Sequence, residues 1–290
     1  MSVIYGQCLR GMISCERAGS GSSQGTICDR AIFGRYRHCG WVPHIYELIY
    51  DAARAGRSPR TRDIDLAVPR SVLVKGVSID QMLIAADFEC RYHSLDTPPV
   101  TKYVAVEGNS EIEIEFITDA PGSSEAVVSV QSDLTAQELH YVGLLLKDPW
   151  SVNLLDLTDG KADYAVRLPA PGAFVFHKAL VFRNRRDKVK AEKDLYYVFF
   201  VLDAFPNWRG AIIAALNEYA VSRPAWFKKC LGSLNAIFRT PESDGVKAVL
   251  NQRPATAFPN MNDDQFRQYA WSIMADLVEI MESALATAEE

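Results

Sequence analysis

Residues 61–69, TRDIDLAVP, place Asp63 and Asp65 on either side of one isoleucine in a run that reads as a β-strand. Residues i and i+2 of a strand point to the same face, so both carboxylates lie side by side. Aspartate is depleted in strands, and adjacent carboxylates repel each other. A nearby positive charge, most simply a divalent cation, removes that penalty. The bland alternative is an exposed strand end beside a turn.

A second acidic strand follows. In EIEIEFIT, Glu111, Glu113 and Glu115 alternate with Ile112, Ile114 and Phe116, so the three acids share one face. On its own this pattern fits a solvated sheet face. KYVAVEG precedes it, and Gly108-Asn109 between the two runs is a hairpin signal. If DIDLAV and EIEIEF are sheet neighbours, a glutamate stands opposite the aspartates. Three carboxylates then form a hard-oxygen site suited to Mg²⁺.

Elsewhere the patterning divides the chain. Residues 1–35 are rich in Gly, Ser and Cys and read as a flexible segment, with SGSSQG at 20–25. WVPHIYELIYDAARA, from Trp41, carries apolar residues at helical spacing. Ser78 followed by Gln81 opens SIDQMLIAADF with a capping box, which predicts a helix. AVVSVQ reads as a strand, and YVGLLL, SVNLLDL and YAVRLP as shorter ones. After Pro169 and Pro171 the texture becomes helical, with AFVFHKALVFRNRR and VKAEKDLYYVFFVLDAF joined at Asp187, then RGAIIAALNEYAV and the long DDQFRQYAW segment. Strands early and helices late predict an α+β protein: a mixed-sheet domain over 36–170, flanked by helices, then a C-terminal helical domain over 171–290.

Composition bounds the partners. A net charge of −5 argues against a generally basic nucleic-acid coat. No apolar run reaches the roughly 18 to 20 residues of a membrane span, and the first residues lack a signal-peptide layout. A cytoplasmic protein with no membrane partner is the expectation. The six cysteines form no CxxC pair and read as reduced thiols. Walker and HExxH motifs are absent.

A triple-carboxylate magnesium site favours phosphoryl transfer, and such chemistry needs an element that grips phosphates. A glycine-led helix N-terminus supplies one, and Cys39-Gly40-Trp41 opens the helix upstream of the aspartates.

Gly40-Trp41, Arg60-Thr61-Arg62-Asp63-Ile64-Asp65-Leu66 and an acid on a later strand together resemble the nucleotidyltransferase fold related to DNA polymerase beta. Lys178 in FVFHKAL and Lys193-Asp194 in AEKDLYYVFFVL extend the resemblance to the branch that includes the abortive-infection toxin nucleotidyltransferases, over roughly residues 36 to 205. The resemblance implies a mixed-sheet nucleotidyltransferase core in which Asp63 and Asp65 are the metal pair. Glu115 is then the third carboxylate and base, with Glu113 in reserve. Gly40, Trp41, Arg60, Thr61, Lys178 and Lys193 are implied nucleotide-binding positions, with Asp194 orienting the lysines. It implies transfer of a nucleoside monophosphate from an NTP to an acceptor hydroxyl on RNA or protein. The alternative is a weakly active or inactive nucleotide-binding module, one component of a toxin–antitoxin or phage-defence pair with an antitoxin protein as partner. Cys39 replaces the first residue of the family's glycine pair, the gap from Gly40 to Asp63 is long, and the third acid is Glu rather than the commoner Asp. A metal-dependent nuclease using the same acids is a further reading.

The basic run of Arg183, Arg185, Arg186, Lys188, Lys190 and Lys193 reads either as a solvated face or as a contact to an RNA backbone. Lys178 in its apolar helix reads alternatively as a snorkelling surface residue, and His177 as a packing residue.

Overall fold

The computed structural model describes residues 37–38, 63–73, 76–93, 101–107, 110–122, 126–153 and 165–290. In chain order the first elements are β1 (Arg37–His38), β2 (Asp63–Ala67), α1 (Ile79–Ala85), β3 (Glu89–Tyr92), β4 (Thr101–Glu107) and β5 (Ser110–Asp119). They are followed by β6 (Val127–Gln131), β7 (Leu134–Leu139), α2 (Val142–Leu146), β8 (Trp150–Asn153) and β9 (Ala165–Leu168). The helical region comprises α3 (Pro171–Val181), α4 (Lys188–Ala204), α5 (Arg209–Ser222), α6 (Pro224–Ile237), α7 (Asp244–Asn251) and α8 (Asp263–Glu289). The fold is α+β. Its described residues divide into two compact units, one ending at Pro169 and the other running from Ala170 to Glu290.

The first unit is built on a mixed sheet of order β3-β4-β5-β2-β1-β9-β8, with β7 also pairing with β5 and carrying β6. The hairpin between β4 and β5 forms as its Gly-Asn signal predicts, closed by the Glu107–Ser110 pair. One face is apolar. Ile64 and Leu66 of β2, Tyr103 of β4 and Ile112, Ile114 and Phe116 of β5 pack with Ile79, Met82 and Leu83 of α1. Helix α1 starts where the capping box predicts: Ser78 Oγ accepts from Gln81 N, and Gln81 Oε1 accepts from Ser78 N. Gln131 Oε1 accepts from Ile79 N, so a side chain from β6 satisfies a further N–H of that first turn.

YVGLLL was expected as a strand, but Val142–Leu146 is helical. Val142 and Leu145, three apart, both reach Ala67 and Ile117 on the sheet, which one strand face could not arrange. Asp119 at the end of β5 replaces the missing cap, its Oδ1 accepting from Gly143 N at 2.8 Å. Ala67 and Ile117 lie on the opposite side of the sheet from Leu66 and Phe116. That second face is therefore apolar and covered at its Ala67–Ile117 end, and acidic at the other. Strands β3 and β7 were not anticipated from the sequence. The expected strand YAVRLP contains β9, and SVNLLDL overlaps β8 at Ser151–Asn153, its remaining residues lying outside those described.

In the second unit α3 is apolar and buried on nearly every side, whereas α4 opens with the exposed stretch Lys188–Lys190 and becomes buried from Asp194. Every residue of α3 is buried, and so is the run from Asp194 to Val201 of α4. Phe176 stacks on Tyr219 and Phe227, and Phe199 meets Phe258, Phe266 and Tyr269. Asp187 N-caps α4, accepting from Val189 N and Lys190 N, which turns the chain between the two helices. Gly172 permits α3 to approach α5, since a Cβ there would meet Ala215 Cβ at 2.4 Å. No single helix among the described residues is long and apolar enough to cross a membrane.

Candidate active site

Strands β2 and β5 are parallel neighbours, and their register opposes Asp63 to Glu113 and Asp65 to Glu115. Residues paired across a ladder point to one side of the sheet, so these four positions share the face away from the apolar core. The alternation that buries Ile64, Leu66, Ile112, Ile114 and Phe116 is what turns the acids outward. Asp65, Glu113 and Glu115 are half-buried. For Asp63 the structure describes the strand position but not the side chain. Gly40, Trp41, Arg60 and Thr61 lie outside the described residues, as do the helix expected from Trp41 and the segment 1–35.

The site has a member that sequence reasoning missed. Lys102 of β4 places its Nζ 2.7 Å from Glu113 Oε2 and 2.6 Å from Glu115 Oε1. Burial works against the Lys102 charge, but the hydrogen bonds and charges of Glu113 and Glu115 outweigh it and hold the ammonium above the ordinary lysine value. Farther along the same face Arg91 of β3 pairs with Glu111 at 3.0 Å and with Glu89 at 2.9 Å. The signal for Lys102 was present: a two-residue Gly108-Asn109 turn, counted back along both strands, opposes Lys102 to Glu115.

Carboxylate oxygens on paired strands are the donor chemistry for a hard divalent cation, and Lys102 shows that this cluster attracts positive charge. Among the described residues no three Asp, Glu, His or Cys side chains by themselves form a metal cage. Asp65 and Glu115 fit a magnesium ion as two members of such a set, with Asp63 the neighbouring position on β2.

The second unit gathers the other predicted residues around Asp194. Lys178 Nζ donates to Asp194 Oδ1 at 2.9 Å, and Arg185 Nε donates to Asp194 Oδ2 at 2.8 Å. Lys178 is 9 % exposed, so it does not snorkel to the surface; it is an internal ion-pair partner. Lys178 and Lys193 both lie over the Tyr197 ring, their Nζ atoms 5.4 and 5.6 Å from its centroid. Burial alone would raise the Asp194 carboxyl, but the Lys178 and Arg185 charges and their hydrogen bonds hold it below the usual carboxylate range. Arg185, from the basic run, thus serves Asp194 here. His177 is buried, and its Nδ1 finds no hydrogen-bond partner among the described residues. Desolvation, reinforced by the Lys178 and Arg185 charges, lowers its pKa to about 3, so it is neutral at pH 7.

Opposed acids on two parallel strands of one sheet are a donor set suited to phosphoryl-transfer chemistry. The family model described as Nucleotidyltransferase matches residues 40–219, more than half of the chain. The chain belongs to that nucleotidyltransferase family. Comparison with curated proteins and with solved structures finds no match.

Proposed function

We propose that this protein transfers a nucleoside monophosphate from an NTP to an acceptor hydroxyl on RNA or protein, with release of pyrophosphate. The observation that carries the reading is the parallel register of β2 and β5, which sets Asp65 opposite Glu115 on the acidic sheet face. Asp63, Asp65 and Glu115 would hold Mg²⁺, which supplies charge neutralisation at the phosphates and at the departing pyrophosphate. Glu115 takes the proton of the acceptor hydroxyl. The acceptor oxygen forms a bond to the α-phosphorus as the bond from that phosphorus to the bridging oxygen breaks, and pyrophosphate leaves with the electron pair. In the second unit, Lys178, Lys193 and Asp194 are the nucleotide-binding positions that the family resemblance implies, and there Asp194 holds Lys178. Gly40, Trp41, Arg60 and Thr61, outside the described residues, would supply the nucleotide contacts that the family resemblance implies. The rate comes from alignment and charge neutralisation.

One observation favours a second reading. Lys102 already neutralises Glu113 and Glu115, as it would in a nucleotide-binding module without catalysis, acting beside an antitoxin protein in a toxin–antitoxin or phage-defence pair.

The test is pyrophosphate release by purified protein with Mg²⁺, each of the four NTPs and total cellular RNA, beside an Asp63→Ala/Asp65→Ala control. Release that vanishes in the control, with label on RNA, supports transfer to RNA. Label on a protein instead identifies the other acceptor class. Mg²⁺-dependent NTP binding with no pyrophosphate from any acceptor selects the binding module. RNA shortened without NTP selects a nuclease.

A further inference from the structure

Lys102 is placed by the β4–β5 hairpin, not by a loop. The pairs Val104–Glu113 and Tyr103–Ile114 put the next residue along β4, Lys102, beside Glu115. Its neighbours Thr101 and Tyr103 are anchored, Thr101 by a 2.7 Å hydroxyl contact to Thr135 and Tyr103 by donation to Asp80 Oδ1 at 2.7 Å. The lysine backbone is thereby held between two secured side chains, and Nζ bridges two carboxylates that sit i and i+2 on one strand. Without a cation those carboxylates would repel each other and Asp65.

We propose that Lys102 is a built-in counter-cation for the acidic site, a positioning residue that occupies Glu115 until a divalent ion displaces it. The inference rests on the metal reading given above. An ammonium in contact with the carboxylate that a divalent ion needs opposes that ion by charge and by occupancy, so free metal binds weakly. A nucleotide, whose triphosphate offers the ammonium other oxygens, relieves both effects. The site is then loaded by metal together with nucleotide in preference to metal alone.

Mn²⁺ binding to the full-length chain, followed by isothermal titration calorimetry without nucleotide, tests this in wild type, Lys102→Met, Lys102→Arg and Asp65→Asn, each first checked for a wild-type far-UV circular dichroism spectrum. Methionine keeps the apolar stem and removes the charge. The expected result is Mn²⁺ affinity about tenfold higher in Lys102→Met, near wild type in Lys102→Arg, and reduced in Asp65→Asn. Binding that depends on Asp65 but is unchanged or weaker in Lys102→Met overturns the counter-cation role and leaves the metal reading standing. Absence of binding in wild type and in Lys102→Met overturns both. If the methionine variant alone does not fold, Lys102→Gln, which keeps a polar contact to the acids, replaces it with the same expected direction.

Discussion

Asp194 and Lys178 form a buried ion pair, 2.9 Å between Oδ1 and Nζ, with Arg185 on the second carboxylate oxygen. Such a pair is costly to assemble and costlier to break, because removing one partner strands the other in a low-dielectric interior. Asp194→Ala is expected to destabilise the protein by about 3 to 5 kcal/mol. Lys178→Met with Asp194→Leu together is expected to cost much less than the two single changes summed. Urea unfolding of the four species gives the coupling directly, and additivity would mean that the pair is not a unit.

The register opposes Glu115 to Asp65 and Glu113 to Asp63, yet the proposed chemistry assigns the proton transfer to Glu115. Glu115→Gln should lower nucleotidyl transfer by about a hundredfold or more, the range for loss of a positioned general base. Glu113→Gln should retain most of the activity. Rates of pyrophosphate release for the two variants, normalised to folded protein, decide between them; the reverse ranking would move the base to Glu113.

His177 is buried with its pKa lowered to about 3, from 6.5 in the unfolded chain. Below pH 6.5 the unfolded state binds a proton that the folded state refuses, so stability falls with falling pH until about pH 3. Between pH 7 and pH 5 this amounts to about 2 kcal/mol. Wild type should lose that much more stability over the interval than His177→Leu. Equal losses in the two proteins would place the acid sensitivity elsewhere.

Gly172 has no room for a side chain beyond hydrogen, with Ala215 Cβ 2.4 Å from where its own Cβ would lie. Gly172→Ala should destabilise by about 1 to 3 kcal/mol by forcing α3 from α5. Ala215→Gly in the same chain should recover most of the loss by vacating the contested space. Thermal melts of the single and double variants check it; no recovery would trace the cost to other neighbours.

Local periodicity and local chemistry were legible without the tertiary structure. Alternation exposed the acid face of β5, the Ser78–Gln81 box marked the start of α1, the Gly108-Asn109 turn marked the hairpin, and Asp187 marked the break between α3 and α4. These signals are written within a few residues of the structures they specify.

Other features depended on distant contacts. The YVGLLL run is short and apolar, compatible with strand or helix. Asp119 and the patch formed by Ala67 and Ile117 decide for helix from elsewhere in the chain. Likewise, the sequence alone placed Asp63, Asp65, Glu113 and Glu115 on acidic strand faces and marked Lys178 and Asp194 as candidates. Only the tertiary structure decided that β2 and β5 run parallel with Asp65 opposite Glu115, that Lys102 bridges the glutamates, and that Lys178 is buried against Asp194. Side-chain period is a property of one strand or helix, whereas register, desolvation and ion pairing belong to surfaces brought together from distant parts of the chain.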